Sequence, residues 1–169
     1  MLASLVHMPL CAQDNELGRL NEALTLYRHQ QYASAFGMFA QLARDGFPYA
    51  QAMLGNMYLY GEGVAEDDAK ALLWLTRAAR RGDDMALNWL GIMYAAGRGV
   101  PQDLTLAVQF YRQAAEQGNH AAQTNLAMAY EDGRGVPQDL VQARLWYERA
   151  IAQGSEVARQ YLRRLAPPQ

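Results

Sequence analysis

The stretch Leu54-Gly55-Asn56-Met57-Tyr58-Leu59-Tyr60-Gly61-Glu62-Gly63-Val64 decides the fold, because its key residues return at a spacing of 36 residues. Leu54-Gly55-x-x-Tyr58 recurs as Leu90-Gly91-x-x-Tyr94 and as Leu126-Ala127-x-x-Tyr130. A glycine pair and a valine follow each time: Gly61/Gly63/Val64, Gly97/Gly99/Val100 and Gly133/Gly135/Val136. The register holds outward through Asp67/Asp103/Asp139, Ala71/Ala107/Ala143, Trp74/Phe110/Trp146, Ala78/Ala114/Ala150 and Gly82/Gly118/Gly154. A fixed period of this length marks a stacked repeat architecture, in which each unit buries its apolar face only against its neighbours.

Each unit reads as two helices joined by the glycine loop. In the second copy, residues 85–96 place Leu90, Met93 and Tyr94 at helical spacing on one face, and Gly97 stands where a helix ends in a left-handed residue. Gly99 adds a second permissive position, Pro101 pins the exit and Asp103 is a natural N-cap for the next helix. That helix carries Ala107, Phe110, Tyr111, Ala114 and Ala115 on its inner stripe and ends at Gly118. The small residues Gly55, Gly91 and Ala127 let the partner helix approach, and large aromatics such as Trp74 and Trp146 fill the remaining space. Upstream, Leu20, Ala23, Leu24 and Tyr27 look like the preceding helix, and the lack of a glycine pair before Tyr32 predicts a short turn. Downstream, Ala158, Tyr161 and Leu162 begin a last helix, with Arg159, Arg163 and Arg164 as the solvated face of a cap. The fold class is therefore all-α, a solenoid of helix-turn-helix repeats with about four hairpins and a C-terminal capping helix.

Composition agrees. Only two isoleucines and four threonines occur among abundant Ala, Leu, Gln, Arg and Met, a bias towards straight-chain helix formers. The net charge of −2 gives no electrostatic reason to expect nucleic acid or an anionic membrane as the ligand. The single cysteine, Cys11, excludes an internal disulfide and a cysteine-based metal site. Residues 1–13 read as a signal-like segment or a disordered N-terminus, residues 14–165 as the repeat domain and 166–169 as a tail. The apolar stretch 2–12 is too short to span a bilayer, so no integral membrane segment is expected. The expected location is periplasmic or secreted if that stretch is a truncated signal, and cytoplasmic otherwise.

The pattern Ala-x-x-x-Leu-Gly-x-x-Tyr-x-x-Gly-x-Gly-Val-x-x-Asp-x-x-x-Ala-x-x-Trp-x-x-x-Ala-Ala-x-x-Gly, standing from Ala50 to Gly82, closely resembles the Sel1-like repeat family, a relative of the tetratricopeptide repeats. The resemblance covers roughly residues 30 to 165. Its departures are Ala127 in place of glycine, Ala65-Glu66 in place of the later Pro-Gln, and a first hairpin closer to a plain tetratricopeptide unit. The family implies a right-handed solenoid that serves as a scaffold for protein partners, often in bacterial signalling, envelope or host-interaction settings. One branch staples each repeat with a cysteine pair, which this chain lacks.

By that resemblance the first helices line a concave face. Carried residue by residue, the partner-binding positions are Tyr49, Asn56, Leu59, Tyr60, Asn88, Ile92, Ala95, Thr124, Met128 and Glu131, with Ala52, Met85, Ala96, Ala121 and Asp132 flanking them. Aligning Tyr27 with Tyr58 adds Asn21, Thr25 and Arg28. Apolar and aromatic residues beside Asn and Thr suit a groove for an extended or helical segment. Glu131 and Asp132 make one end acidic, so a basic residue is expected there in the partner.

No catalytic chemistry is evident. The Gly-x-Gly pairs lack a preceding strand, a third glycine and a following Lys-Ser/Thr, so they read as turns and not as a phosphate cradle. His7, His29 and His120 are scattered without metal-ligand spacing. The pairs Asp67-Asp68 and Asp83-Asp84 read as caps, and Lys70, Arg77, Arg80 and Arg81 as a solvated convex face. The expected function is a non-enzymatic scaffold or adaptor that binds a partner protein or peptide, with no cofactor and no metal. The alternative is an envelope-associated glycan or cell-wall binding protein using Tyr49 and Tyr60 as stacking groups. The oligomeric state is not given by the sequence. Replacing the large aromatic of a repeat, Trp74 or Trp146, by alanine is expected to cost about 3–5 kcal/mol where the indole is buried, measured by thermal melting.

Overall fold

The computed structural model describes residues 10–165, and among these it contains nine α-helices and no strand. They are α1 (Leu10–Arg28), α2 (Tyr32–Arg44), α3 (Pro48–Tyr60), α4 (Asp68–Ala79), α5 (Asp84–Ala96), α6 (Leu104–Glu116), α7 (His120–Asp132), α8 (Leu140–Ala152) and α9 (Glu156–Leu165). Each helix packs on its neighbours in sequence, and α3 also touches α5. The result is a stack of antiparallel hairpins, with the odd-numbered helices as one layer and the even-numbered helices as the other. The first nine residues of the signal-like segment, His7 included, and the tail 166–169 lie outside the described residues; Leu10, Cys11 and Ala12 form the first turn of α1.

The helix ends follow from local chemistry. Gly61, Gly97 and Gly133 take left-handed φ angles of 68°, 69° and 67° at the C-caps of α3, α5 and α7. Asp67, Asp103 and Asp139 cap α4, α6 and α8 by accepting backbone N–H bonds from Lys70, Leu106 and Gln142 at 2.9, 2.9 and 3.0 Å. Asp83, Asn119 and Ser155 do the same for α5, α7 and α9. The short first turn is closed by Gln30, the one non-glycine residue with positive φ among the described residues.

Within each hairpin the small residue does the work expected of it. A Cβ on Gly55 would lie 2.6 Å from Leu75 Cγ, and one on Gly91 would lie 2.5 Å from the Tyr111 ring. The core is continuous along the stack. Leu54, Leu90 and Leu126 are at most 3% exposed, and burial of each such side chain contributes roughly 1.5–3 kcal/mol. Trp146 is buried as expected, but Trp74 is only half-buried, its ring covered by the Arg77 guanidinium 4.7 Å from the centroid. The cost expected for its removal falls accordingly.

The second loop glycines make the contact between repeats. A Cβ on Gly63 would lie 2.4 Å from the Tyr32 carbonyl, on Gly99 2.9 Å from Asp68 Cβ, and on Gly135 2.1 Å from the Leu104 carbonyl oxygen. Tyr32, Asp68 and Leu104 each begin the second helix of the preceding hairpin. Gly82 has a comparable φ of 83° but nothing within 4 Å of its added Cβ. Gly82→Ala should therefore cost only the left-handed strain of about 1–2 kcal/mol. Gly135→Ala adds a backbone collision and should cost clearly more, with urea unfolding of the two variants as the comparison.

Candidate partner-binding face

The odd-numbered helices are tied side by side by polar pairs. Asn56 Nδ2 donates to the Tyr27 hydroxyl at 3.3 Å between α3 and α1, and Asn125 Nδ2 donates to Asn88 Oδ1 at 2.9 Å between α7 and α5. Thr124 Oγ1 and Ser155 Oγ stand 3.4 Å apart at the junction of α7 with α9. Tyr27 in turn donates to Glu62 Oε2 at 2.7 Å.

This packing divides the expected partner-binding residues. Tyr60, at 45% exposed, is open, and its ring meets Trp89 of α5 edge-on at 5.5 Å. Tyr49, Ile92, Ala95, Met128 and Glu131 are half-buried, while Ala96, Ala121 and Asp132 are exposed. Asn56, Asn88 and Thr124 are buried, each at 5% exposure, and are used between helices. Leu59 and Ala52 are fully buried in the cluster that joins α3, α4 and α5, so neither belongs to an open groove. Each of α3, α5 and α7 packs against its own hairpin partner and against the outer helix before it, and neighbouring inner helices also meet, as α3 does with α5. These further contacts take up positions assigned to the groove. Trp89 and Asn125 were not anticipated; their shared repeat position holds Met53, Trp89 and Asn125 in turn, and such scatter beside the constant Leu54/Leu90/Leu126 is the signal that could have found them.

The acidic end also differs from expectation. Glu131 Oε2 accepts a 2.6 Å hydrogen bond from the Tyr147 hydroxyl, and Arg134 lines the same pocket as Asp132. That pocket, of about 100 Å³, opens between the second and third glycine-loop hairpins and is lined by Ala95, Leu104, Ala107, Val108, Tyr111, Asn125, Met128, Ala129, Asp132 and Arg134.

Burial sets the electrostatics of the tyrosines. The Tyr147 hydroxyl is pushed well above the ordinary tyrosine value by burial and then by its bond to Glu131. Tyr27 is raised by burial and then by its bond to Glu62. Burial pushes Tyr111 up to about 12, against the opposing field of Arg134. Asp83 is raised by burial despite its N-cap bond to Ala86. His29 and His120 lie exposed, and no group of three or more His, Cys, Asp or Glu suited to a metal occurs among the described residues. None of the described helices is long and apolar enough to cross a membrane.

Stacked hairpins with a continuous inner face define a helical-repeat scaffold. Three Sel1 repeats match residues 48–83, 84–119 and 120–155, and the chain belongs to the Sel1 repeat family, non-catalytic repeat scaffolds that mediate protein interactions. A Sel1 repeat protein from Oxalobacter formigenes is similar over 74% of this chain and 94% of its own, with 44% identity and a TM-score of 0.65. The protective antigen c5321 of uropathogenic Escherichia coli, which displays the same fold, is 37% identical over 87% of this chain, with a TM-score of 0.72; the match spans 33% of that protein. Helicobacter pylori cysteine-rich protein B is 25% identical over 72% of this chain and 93% of its own, with a TM-score of 0.60. No curated protein sequence matches the chain.

The raised tyrosines make stability depend on alkaline pH. In the unfolded chain a tyrosine ionises near about 10. The contribution of Tyr27, Tyr111 and Tyr147 is therefore full below that pH and is lost as pH rises through their higher folded values. Urea midpoints should fall steeply above about pH 10. Tyr147→Phe should lower stability at neutral pH by about 1–2 kcal/mol and make the alkaline fall shallower.

Proposed function

We propose that this chain is an adaptor whose inner face, formed by α3, α5 and α7, holds an extended or helical segment of a partner protein. The observation that carries this reading is the pair Tyr60 and Trp89, with Ile92 one turn after Trp89 on α5 and its repeat counterpart Met128 on α7. These are large side chains of the inner layer that hairpin packing leaves accessible. An exposed aromatic next to half-buried aliphatic side chains is the composition of interface anchors. The polar pairs between the inner helices support the same reading, since they fix the spacing of the face before a partner arrives and so reduce the ordering cost of binding.

The test is affinity capture from the native cell with quantitative mass spectrometry, comparing the wild type with Ile92→Arg/Met128→Arg and with Tyr60→Ala. All three proteins are first matched by thermal melting, which separates loss of the face from loss of the fold. A partner held by the wild type should disappear from the double variant. With that partner purified, Tyr60→Ala should weaken the complex at least roughly tenfold. Identical captured sets would overturn the assignment of the inner face.

A further inference from the structure

The pocket between the second and third glycine-loop hairpins exists because the side chains that fill its counterpart one repeat later are missing. In the third hairpin, Tyr147 donates to Glu131 and stacks on Tyr161 with ring centroids 5.8 Å apart. One period earlier the same three positions hold Tyr111, Ala95 and Asn125. The tyrosine is retained while its carboxylate acceptor is reduced to a methyl group and its stacking ring to a small amide. Tyr111 is 8% exposed, lines the cavity, and has no hydrogen-bond partner for its hydroxyl among the described residues. The cavity, at about 100 Å³, is well above the ~10–15 Å³ that holds one water.

A second donor is freed by a parallel change. Arg98 is held by the Leu59 carbonyl at 2.8 Å, by Asp68 at 2.6 Å and by Glu66 at 3.3 Å. For its counterpart Arg134, the repeat positions of Asp68 and Glu66 are occupied by Leu104 and Gln102, neither of which carries a charge. The Ala95 carbonyl, counterpart of that of Leu59, is already taken by Gln102 Nε2 at 2.8 Å. The Arg134 guanidinium therefore has no ion pair or hydrogen bond among the described residues; it is exposed and lines the pocket together with Tyr111.

We propose that this pocket receives the side-chain carboxylate of an acidic residue on the partner segment. The Tyr111 hydroxyl donates to one oxygen, as Tyr147 donates to Glu131, and Arg134 pairs with the other. The partner's carboxylate completes a hydrogen bond that the third hairpin makes internally. Leu104, Val108 and Met128 supply apolar walls for the methylene groups of a glutamate. Asp132 also lines the pocket and opposes the anion, so Tyr111 and Arg134 bind it against that charge. The inference rests on the adaptor reading for its partner, but the pocket is testable without one.

The probe is N-acetylglutamate methylamide, titrated into the full chain while NMR follows the Tyr111 ring and the Arg134 side chain. N-acetylglutamine methylamide and N-acetyllysine methylamide are the controls. Saturable shifts at both residues are expected with the glutamate probe only. Tyr111→Phe and Arg134→Gln should each weaken it roughly tenfold, and Asp132→Asn should tighten it a few-fold by removing the like charge. Ala95→Glu supplies the internal acceptor of the third hairpin and should abolish binding while raising the melting temperature, which excludes unfolding as the cause. Equal shifts with the glutamine probe, preference for the lysine probe, or binding that survives Ala95→Glu would each overturn the proposal. The adaptor reading fails separately, through capture that ignores Ile92→Arg, at a residue that does not line the pocket.

Discussion

The stack depends on the absence of a side chain at the second loop glycine. Gly63, Gly99 and Gly135 lie against the first residue of the preceding hairpin's second helix, closer than any Cβ allows. This contact is backbone against backbone or against the base of a side chain, so it has little room to relax. It fixes how far each hairpin advances along the array. Because each repeat touches only its neighbours, the same local step is applied again and again, and the spacing of the inner helices follows from it. The polar pairs Tyr27/Asn56 and Asn88/Asn125 then have the right separation to form.

Within a frame set by backbone, side chains can change without moving the repeat. The position facing the small residue holds Leu75, Tyr111 and Tyr147, and the inner-helix position that follows it around holds Leu59, Ala95 and Glu131. The first glycine-loop hairpin fills the slot with two fully buried leucines, and the third fills it with a hydrogen-bonded pair. The second leaves it open. The loop arginine behaves likewise, neutralised at Arg98 by Asp68 and Glu66 and released at Arg134 by Leu104 and Gln102.

Much of this was legible in the sequence because it is short-range. A left-handed glycine after the last helical turn, an aspartate accepting from the amide three residues on, and a small residue facing a large one are local rules that three copies repeat in register. The inner face was less legible, for a reason visible at Leu59. Its position was assigned to the groove by likeness to tetratricopeptide helices, yet α4 and α5 close over it completely. Which flank of a helix the next repeat covers is set by the stacking step, a tertiary quantity that no single period encodes. Asn56, Asn88 and Thr124 were misplaced outward by the same cause. Trp74 was misplaced inward: it is only half-buried, while its counterpart Trp146, which carries a stacked arginine in the same way, is buried. The open pocket was equally hidden, since it is defined by differences between repeats while the fold is read from their agreement.

Those differences carry a thermodynamic argument about where binding resides in a repeat protein. A hydrogen bond made inside the protein contributes about 0.5–1.5 kcal/mol net. The frame itself accepts leucine at that position, as Leu75 shows, and accepts a paired tyrosine, as Tyr147 shows. Tyr111 opposite Ala95 forgoes the internal bond that Tyr147 makes, and the exposed Arg134 guanidinium is left to solvent instead of a protein carboxylate. Departures from the most stable solution collect at sites where another requirement acts. The second glycine-loop hairpin leaves the Tyr111 hydroxyl and the Arg134 guanidinium without protein partners beside a cavity, and a ligand gains there by supplying the acceptor that the third hairpin supplies itself.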